Sequence, residues 1–241
     1  LGAHLVVEPI ELHGPERLDA IERLVSALRP DGVFLIPPLS DDADLLALLT
    51  RFALPIVRIA GTGSSPGTNI ELPENAGGRM VVEHLTGLGH TRIAAIGAPE
   101  SHASAARRTE GFCEAMAEAG LAIPPSYIET ADLDFRSGEQ AAARILSNPV
   151  RPTAIFAAND EMALGTLSAA RKLGLDVPKD LSLVGFDDVP ASASSWPTLT
   201  TVRQPLCRIG KRAIDLICGS STEDGELSFE LIVRQSTKPP R

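Results

Sequence analysis

Residues 153–188, TAIFAANDEMALGTLSAARKLGLDVPKDLSLVGFDD, constrain this chain more tightly than any other stretch. The run AIFAA (154–158) is wholly apolar and short, the pattern of a strand covered on both faces. Asn159 and Asp160 then supply an N-cap side chain and a first-turn carboxylate. Met162, Leu164, Leu167 and Leu173 follow at near-helical spacing, and Gly174 stops the helix. After a turn around Pro178, LSLVGF (181–186) forms a second buried strand that Asp187 and Asp188 end. Two strands joined by one helix are parallel, and the crossover is right-handed. Their carboxyl ends therefore share one rim of the sheet, where open α/β folds bind ligands. Asn159 and Asp187 stand at that rim, which points to a binding cleft.

The rest of the chain repeats this alternation. Strands are expected at 5–7, 32–37, 55–60, 92–97, 127–129, 200–202 and 229–234. Helices are expected at 15–28, 41–52, 75–88, 105–119, 137–146 and 206–218. The stretch GTGSSPG (61–67) reads as a flexible connection and a lobe boundary, and 219–226 as a polar loop. Such alternation gives an α/β fold of parallel sheets flanked by helices. The length of 241 residues fits two lobes better than one sheet. If 5–7 is the first strand, the first lobe is thin for a doubly wound sheet. A strand and helix upstream are therefore expected to be missing from this sequence.

Composition removes several classes of function. With 44% hydrophobic and 22% charged residues the chain has an ordinary soluble make-up, and no apolar run approaches a membrane span. A net charge of −9 is unsuited to gripping a phosphate backbone. Cys113, Cys207 and Cys218 have no CxxC spacing and read as reduced thiols. The sequence has no GxGxxG, GxxxxGK[ST] or HExxH, and no cofactor or metal set is expected. His84 and His90, six apart, are poorly spaced for a metal and read as structural. No nucleophile completes an acid–base pair, so the expectation is a binding protein and not an enzyme.

Four ordered stretches, EHLTGLGHTRIAAIGAP (83–99), RRTEGFCEAMAEAGL (107–121), RPTAIFAANDEMALGTLSAARKLGLDVPKDLSLVGFDD (151–188) and PTLTTVRQPLCRIGKRAIDLI (197–217), resemble the effector-binding region of the LacI/GalR family of transcription regulators. The closing FELIVRQST (229–237) and, more loosely, GVFLIPP (32–38) add to the likeness. At Pro73-Glu74 the chain departs from the Asp-Asn that many members carry there. The resemblance implies a two-lobed, periplasmic-binding-protein-like (type I) fold with three crossings between lobes, near 62–69, near 202–204 and after Gly219. The lobes would comprise 1–68 with 203–222, and 69–202 with 223–241. It also implies a missing N-terminal DNA-binding head, a homodimer, and a sugar or glycoside effector bound between lobes.

The candidate ligand-binding residues follow. The resemblance assigns Arg108, three residues before Gly111, to the effector; its planar donors suit hydroxyls or a carboxylate. Without the resemblance, pairing with Glu110 or Glu114 on the same helix would be the plainer reading. His102 and Ser104 lie just before it, where relatives touch effector; Ser104 could equally cap the helix, and His102 departs in type from familiar members. Asp187 can accept from two adjacent hydroxyls or cap the following turn. Asn159 can serve the ligand, cap its helix, or do both. Ser40 and Asp41 follow a strand, and Arg58 lies within one, so it either reaches the cleft, the favoured reading, or pairs with an acid. Leu133, Phe135 and Trp196 could form an apolar floor, though Leu133 and Phe135 suit a core equally well.

These readings make the chain the effector-sensing, dimer-forming part of a cytoplasmic regulator that reaches operator DNA only through its head. The alternative on the same fold is an extracytoplasmic sugar-binding protein of a transport system.

Overall fold

The computed structural model describes residues 4–8, 14, 16–220 and 225–241. The expected helix start at residue 15 and residues 221–224 of the polar loop lie outside them. The chain divides into two compact units, Leu1–Glu71 with Ile209–Asp224, and Leu72–Arg208 with Gly225–Arg241.

In the first unit, α1 (Arg17–Leu28) leads to β1 (Val33–Leu35), α2 (Ala43–Thr50), β2 (Ile56–Ile59) and β3 (Thr68–Ile70). The strands form a parallel sheet in the order β1-β2-β3. Ile21 and Val25 of α1 meet Leu45, Leu46, Leu48 and Leu49 of α2 in one core with Leu35 and Ile56. Asp42 caps α2 by accepting from the Leu45 amide at 2.9 Å and pairs with Arg17, tying the two helices together.

The second unit runs α3 (Glu74–Gly87), β4 (Ile93–Gly97), α4 (Ala103–Glu118), β5 (Ile128–Thr130), α5 (Phe135–Leu146), β6 (Ala154–Ala157), α6 (Asp160–Lys172), β7 (Ser182–Asp187), α7 (Pro190–Ser194) and β8 (Thr200–Arg203). Helix α8 (Leu206–Ile217) then carries the chain into the first unit, and β9 (Glu230–Ile232) returns to the second. The six strands are ordered β5-β4-β6-β7-β8-β9. β4 and β6 are buried at every position, as their apolar sequences require. Phe112 and Phe156 stack between α4 and β6 with ring centroids 5.7 Å apart. Burying each contributes roughly 1.5–3 kcal/mol.

Glycines let the helices approach. A Cβ on Gly78 of α3 would lie 1.9 Å from the Arg108 carbonyl, and one on Gly111 of α4 would lie 2.1 Å from that of Asn75. On the next pair, a Cβ on Gly165 of α6 would lie 2.2 Å from the Phe135 carbonyl. At the amino ends of the strands, buried His90 ties three segments together. It bonds Thr153 Oγ1 at 2.8 Å, Ser182 Oγ at 3.0 Å and the Lys238 carbonyl at 2.9 Å.

Three expectations are corrected. Leu5-Val6-Val7 is not a strand: the three side chains are 65%, 55% and 79% exposed, and no strand among the described residues supplies a ladder partner. Apolar composition alone does not make a strand without pairing. β3 falls just past the stretch read as a connection, and Thr68-Asn69 gave no apolar signal there. The second sheet is not wholly parallel, because β9 pairs antiparallel with β8 at its edge.

Candidate effector site at the carboxyl rim of the second sheet

The parallel order of β5, β4, β6, β7 and β8 places the ends of these strands along one rim. α4 rises from β4, and its second turn carries Arg108. The side chain is 6% exposed and fixed by three acceptors. Nε donates to Glu74 Oε2 at 2.7 Å; Nη1 donates to the Ala158 carbonyl at 2.8 Å and to Asp187 Oδ1 at 3.3 Å. The guanidinium carbon sits 3.8 Å from the centroid of the Phe186 ring, an additional cation–π hold. Nη2 has no partner among the described residues. Arg108 does not pair with Glu110 or Glu114 on its own helix.

Asp187 ends β7 with a φ of 106°, and Asp188 follows at 56°, two left-handed conformations that non-glycine residues rarely adopt. Asp187 Oδ1 also accepts from Gln204 Nε2 at 2.7 Å, while Oδ2 has no donor among the described residues. Burial pushes the Asp187 carboxyl up, and Arg108 works against that rise. Burial also acts to raise Asp188, but hydrogen bonds from Arg234 and Arg203 outweigh it and hold the carboxyl below its ordinary range. Behind the rim, fully buried Asp160 accepts from Thr201 Oγ1 at 2.6 Å and the Val189 amide at 2.9 Å. Desolvation raises its carboxyl to about 7.

The other candidates are distributed as follows. Asn159 caps its helix: Oδ1 accepts from the Met162 amide at 2.9 Å, and Nδ2 donates to the Leu133 carbonyl at 2.8 Å. Ser104, in the first turn of α4, makes no cap; its buried hydroxyl has no partner among the described residues. His102 is the N-cap residue of α4 but gives no side-chain cap bond. Leu133 is half-buried with a φ of 62°. Phe135 and Trp196 are 44% and 82% exposed, so neither belongs to the core.

Ser40, Asp41 and Arg58 belong to the first unit. There they brace one another. Ser40 donates to the Leu35 and Ile59 carbonyls at 3.0 and 2.7 Å. Arg58, 1% exposed, donates to Asp41 Oδ1 at 3.0 Å and to the Thr62 and Gly63 carbonyls at 3.1 and 3.2 Å. Asp41 also accepts from the Thr62 amide at 2.7 Å. The acid-paired arrangement of Arg58 is therefore the one formed; it gives acceptors to Nη1 and Nη2 and leaves the buried Nε without a partner.

Three residues at the rim were not anticipated: Glu74, Phe186 and Gln204. Glu74, 34 residues before Arg108 in sequence, is 1% exposed, and its Oε1 has no hydrogen-bond partner. In sequence an acid in a helix's first turn reads as a dipole partner, and only the glycine-mediated contact of α3 with α4 brings it to Arg108. What the rim offers chemically is an open donor on Arg108, an open acceptor on Asp187 and a free hydroxyl on Ser104. Among the described residues no group of acidic, histidine and cysteine side chains could hold a metal ion.

Residues 82–237 match the model of the periplasmic binding protein-like domain. The chain is an effector-binding domain of the LacI/GalR family. It is 40% identical over 147 residues to the ribose operon repressor of Escherichia coli, covering 61% of this chain and 44% of that protein. A LacI family transcriptional regulator from Mycobacterium smegmatis superposes with a TM-score of 0.81 at 35% identity, covering 94% of this chain and 86% of that one. The lac repressor dimer bound to operator and the anti-inducer ONPF gives 0.82 at 32% identity, covering 98% and 84%. The chain thus spans less than half of the ribose operon repressor's length. Among the described residues no helix is long and apolar enough to cross a membrane.

Proposed function

We propose that this chain senses a small hydroxylated effector, a sugar or glycoside, for a cytoplasmic LacI-type regulator. The effector docks on the rim around Arg108 and Asp187. Binding favours one conformation of the regulator over another, and by linkage changes the operator affinity of a DNA-binding head that this chain does not span. The regulator acts as a homodimer, since paired heads read paired half-sites. The ligand leaves chemically unchanged.

The observation that carries this reading is the pair of open valences on otherwise saturated groups. Arg108 is locked by Glu74, Ala158 and Phe186, yet keeps Nη2 open. Asp187 is locked by Arg108 and Gln204, yet keeps Oδ2 open. A preorganised donor beside a preorganised acceptor matches vicinal hydroxyls, each of which both donates and accepts. Two of the relatives, those of the ribose and lac systems, are named as repressors, and the former's name carries a sugar, ribose.

A thermal-unfolding screen against neutral pentoses, hexoses and glycosides tests the reading. A true effector at 100 times its Kd adds about 2.7 kcal/mol of stability and so raises Tm. At the same ligand concentration the roughly 10- to 100-fold weaker binding of Arg108→Ala cuts this to about 0.4–1.4 kcal/mol, and incubation leaves the ligand chromatographically intact. A ligand that is turned over, or a panel without any shift, contradicts the reading.

A further inference from the structure

The three polar anchors of the rim differ in how much of each is left for a guest, and Arg108 is the most fully committed. We propose that Glu74 makes this site selective for uncharged polyhydroxyl ligands and against their acidic counterparts, such as sugar acids and sugar phosphates. The inference rests on the effector-binding reading above and adds the charge class of the ligand to it.

Two observations support it. A guanidinium captures a carboxylate or phosphate through two nitrogens at once, and each possible pair includes a nitrogen already engaged. Nε is held by Glu74 at 2.7 Å, and Nη1 by Ala158 and Asp187 at 2.8 and 3.3 Å. Only Nη2 remains; its two N–H groups diverge, so they can serve hydroxyl oxygens singly but cannot form the parallel two-nitrogen clamp. The second observation is charge. Glu74 lies within the interior at 1% exposure and faces Arg108 directly, so solvent does little to screen the pair. Its negative charge cancels that of the guanidinium, and Asp187 adds a second carboxylate at the same cation. An arriving anion meets no uncompensated positive charge. Glu74 itself is sealed from the ligand, since Oε1 is buried and carries no hydrogen bond. It therefore acts through Arg108 as a positioning residue.

Calorimetric titration of the whole chain tests this with defined pairs: D-ribose with ribose 5-phosphate, D-galactose with D-galacturonate, and D-glucose with D-gluconate. For any pair with a binding member, the acid binds about tenfold or more weakly than its neutral parent. Glu74→Gln keeps the shape, removes the charge and narrows that ratio severalfold, whereas Glu74→Asp keeps the charge and retains the discrimination. An acid that binds wild type as tightly as its parent overturns the inference while leaving effector binding intact. So does a ratio unmoved by Glu74→Gln, or one relaxed equally by both variants, which would mark a packing role. If no neutral sugar and no acid binds, the effector reading falls and the inference falls with it.

Discussion

Asp160 shows how far one buried carboxyl can depart from its ordinary behaviour. Its folded-state value of about 7 stands well above the 3.8 of a free aspartate, because desolvation outweighs the bonds from Thr201 and Val189. The folded chain therefore keeps this proton to higher pH than the unfolded chain does. The contribution to stability is full below about pH 4 and is lost as pH rises through about 7, a swing on the order of 4 kcal/mol. Desolvation holds half-buried His84 and buried His90 below their ordinary value, and their contributions run the other way, lost as pH falls through 6.5 and below. These histidines are common to wild type and Asp160→Asn, so their contributions cancel when the two proteins are compared. From about pH 6.5 to 8 the urea midpoint of wild type therefore falls relative to that of Asp160→Asn, whose deficit at the lower pH comes from the lost Val189 bond. Parallel curves for the two proteins would contradict this. At the opposite extreme of burial, Trp196 is 82% exposed, so Trp196→Ala shifts the urea midpoint by no more than about 0.5 kcal/mol of stability.

Elements position what single residues cannot. Glu74 reaches Arg108 only because α3 and α4 cross at Gly78 and Gly111, where a Cβ would strike backbone carbonyls at 1.9 and 2.1 Å. Gly111→Ala is expected to force the helices apart at a cost of about 1–3 kcal/mol, and to weaken effector binding by loosening the Glu74–Arg108 pair. Denaturation and titration of that variant check the two effects together; a variant with wild-type stability would contradict the close approach. At this scale the sequence was most legible where one rule dominated. The apolar runs of β4, β6 and β7 and the caps at Asn159 fixed a parallel rim, and with it the place of Asp187. It was least legible where pairing partners decide: Leu5-Val6-Val7 is strand-like but unpaired, Thr68-Asn69-Ile70 is unremarkable but paired with β2, and β9 reverses direction. Glu74 stayed hidden because the contact spans 34 residues and depends on a helix crossing. Asn159 could serve the ligand, cap its helix, or do both, and its bond to Met162 shows that the cap is formed.

For the whole molecule, two compact units and family membership frame the function, and the rim of the second unit is where we propose that the effector docks. We propose that Arg108 and Asp187 together hold a small hydroxylated effector that the chain does not transform. A charge-assisted hydrogen bond is worth about 1.5–3 kcal/mol, so losing either side chain weakens binding by roughly 10- to 100-fold. The most direct measurement is calorimetric titration of a sugar that binds wild type into Arg108→Ala and Asp187→Ala, each first shown to be folded by circular dichroism. Both variants are expected to show that loss; full wild-type affinity in both would contradict the proposed site.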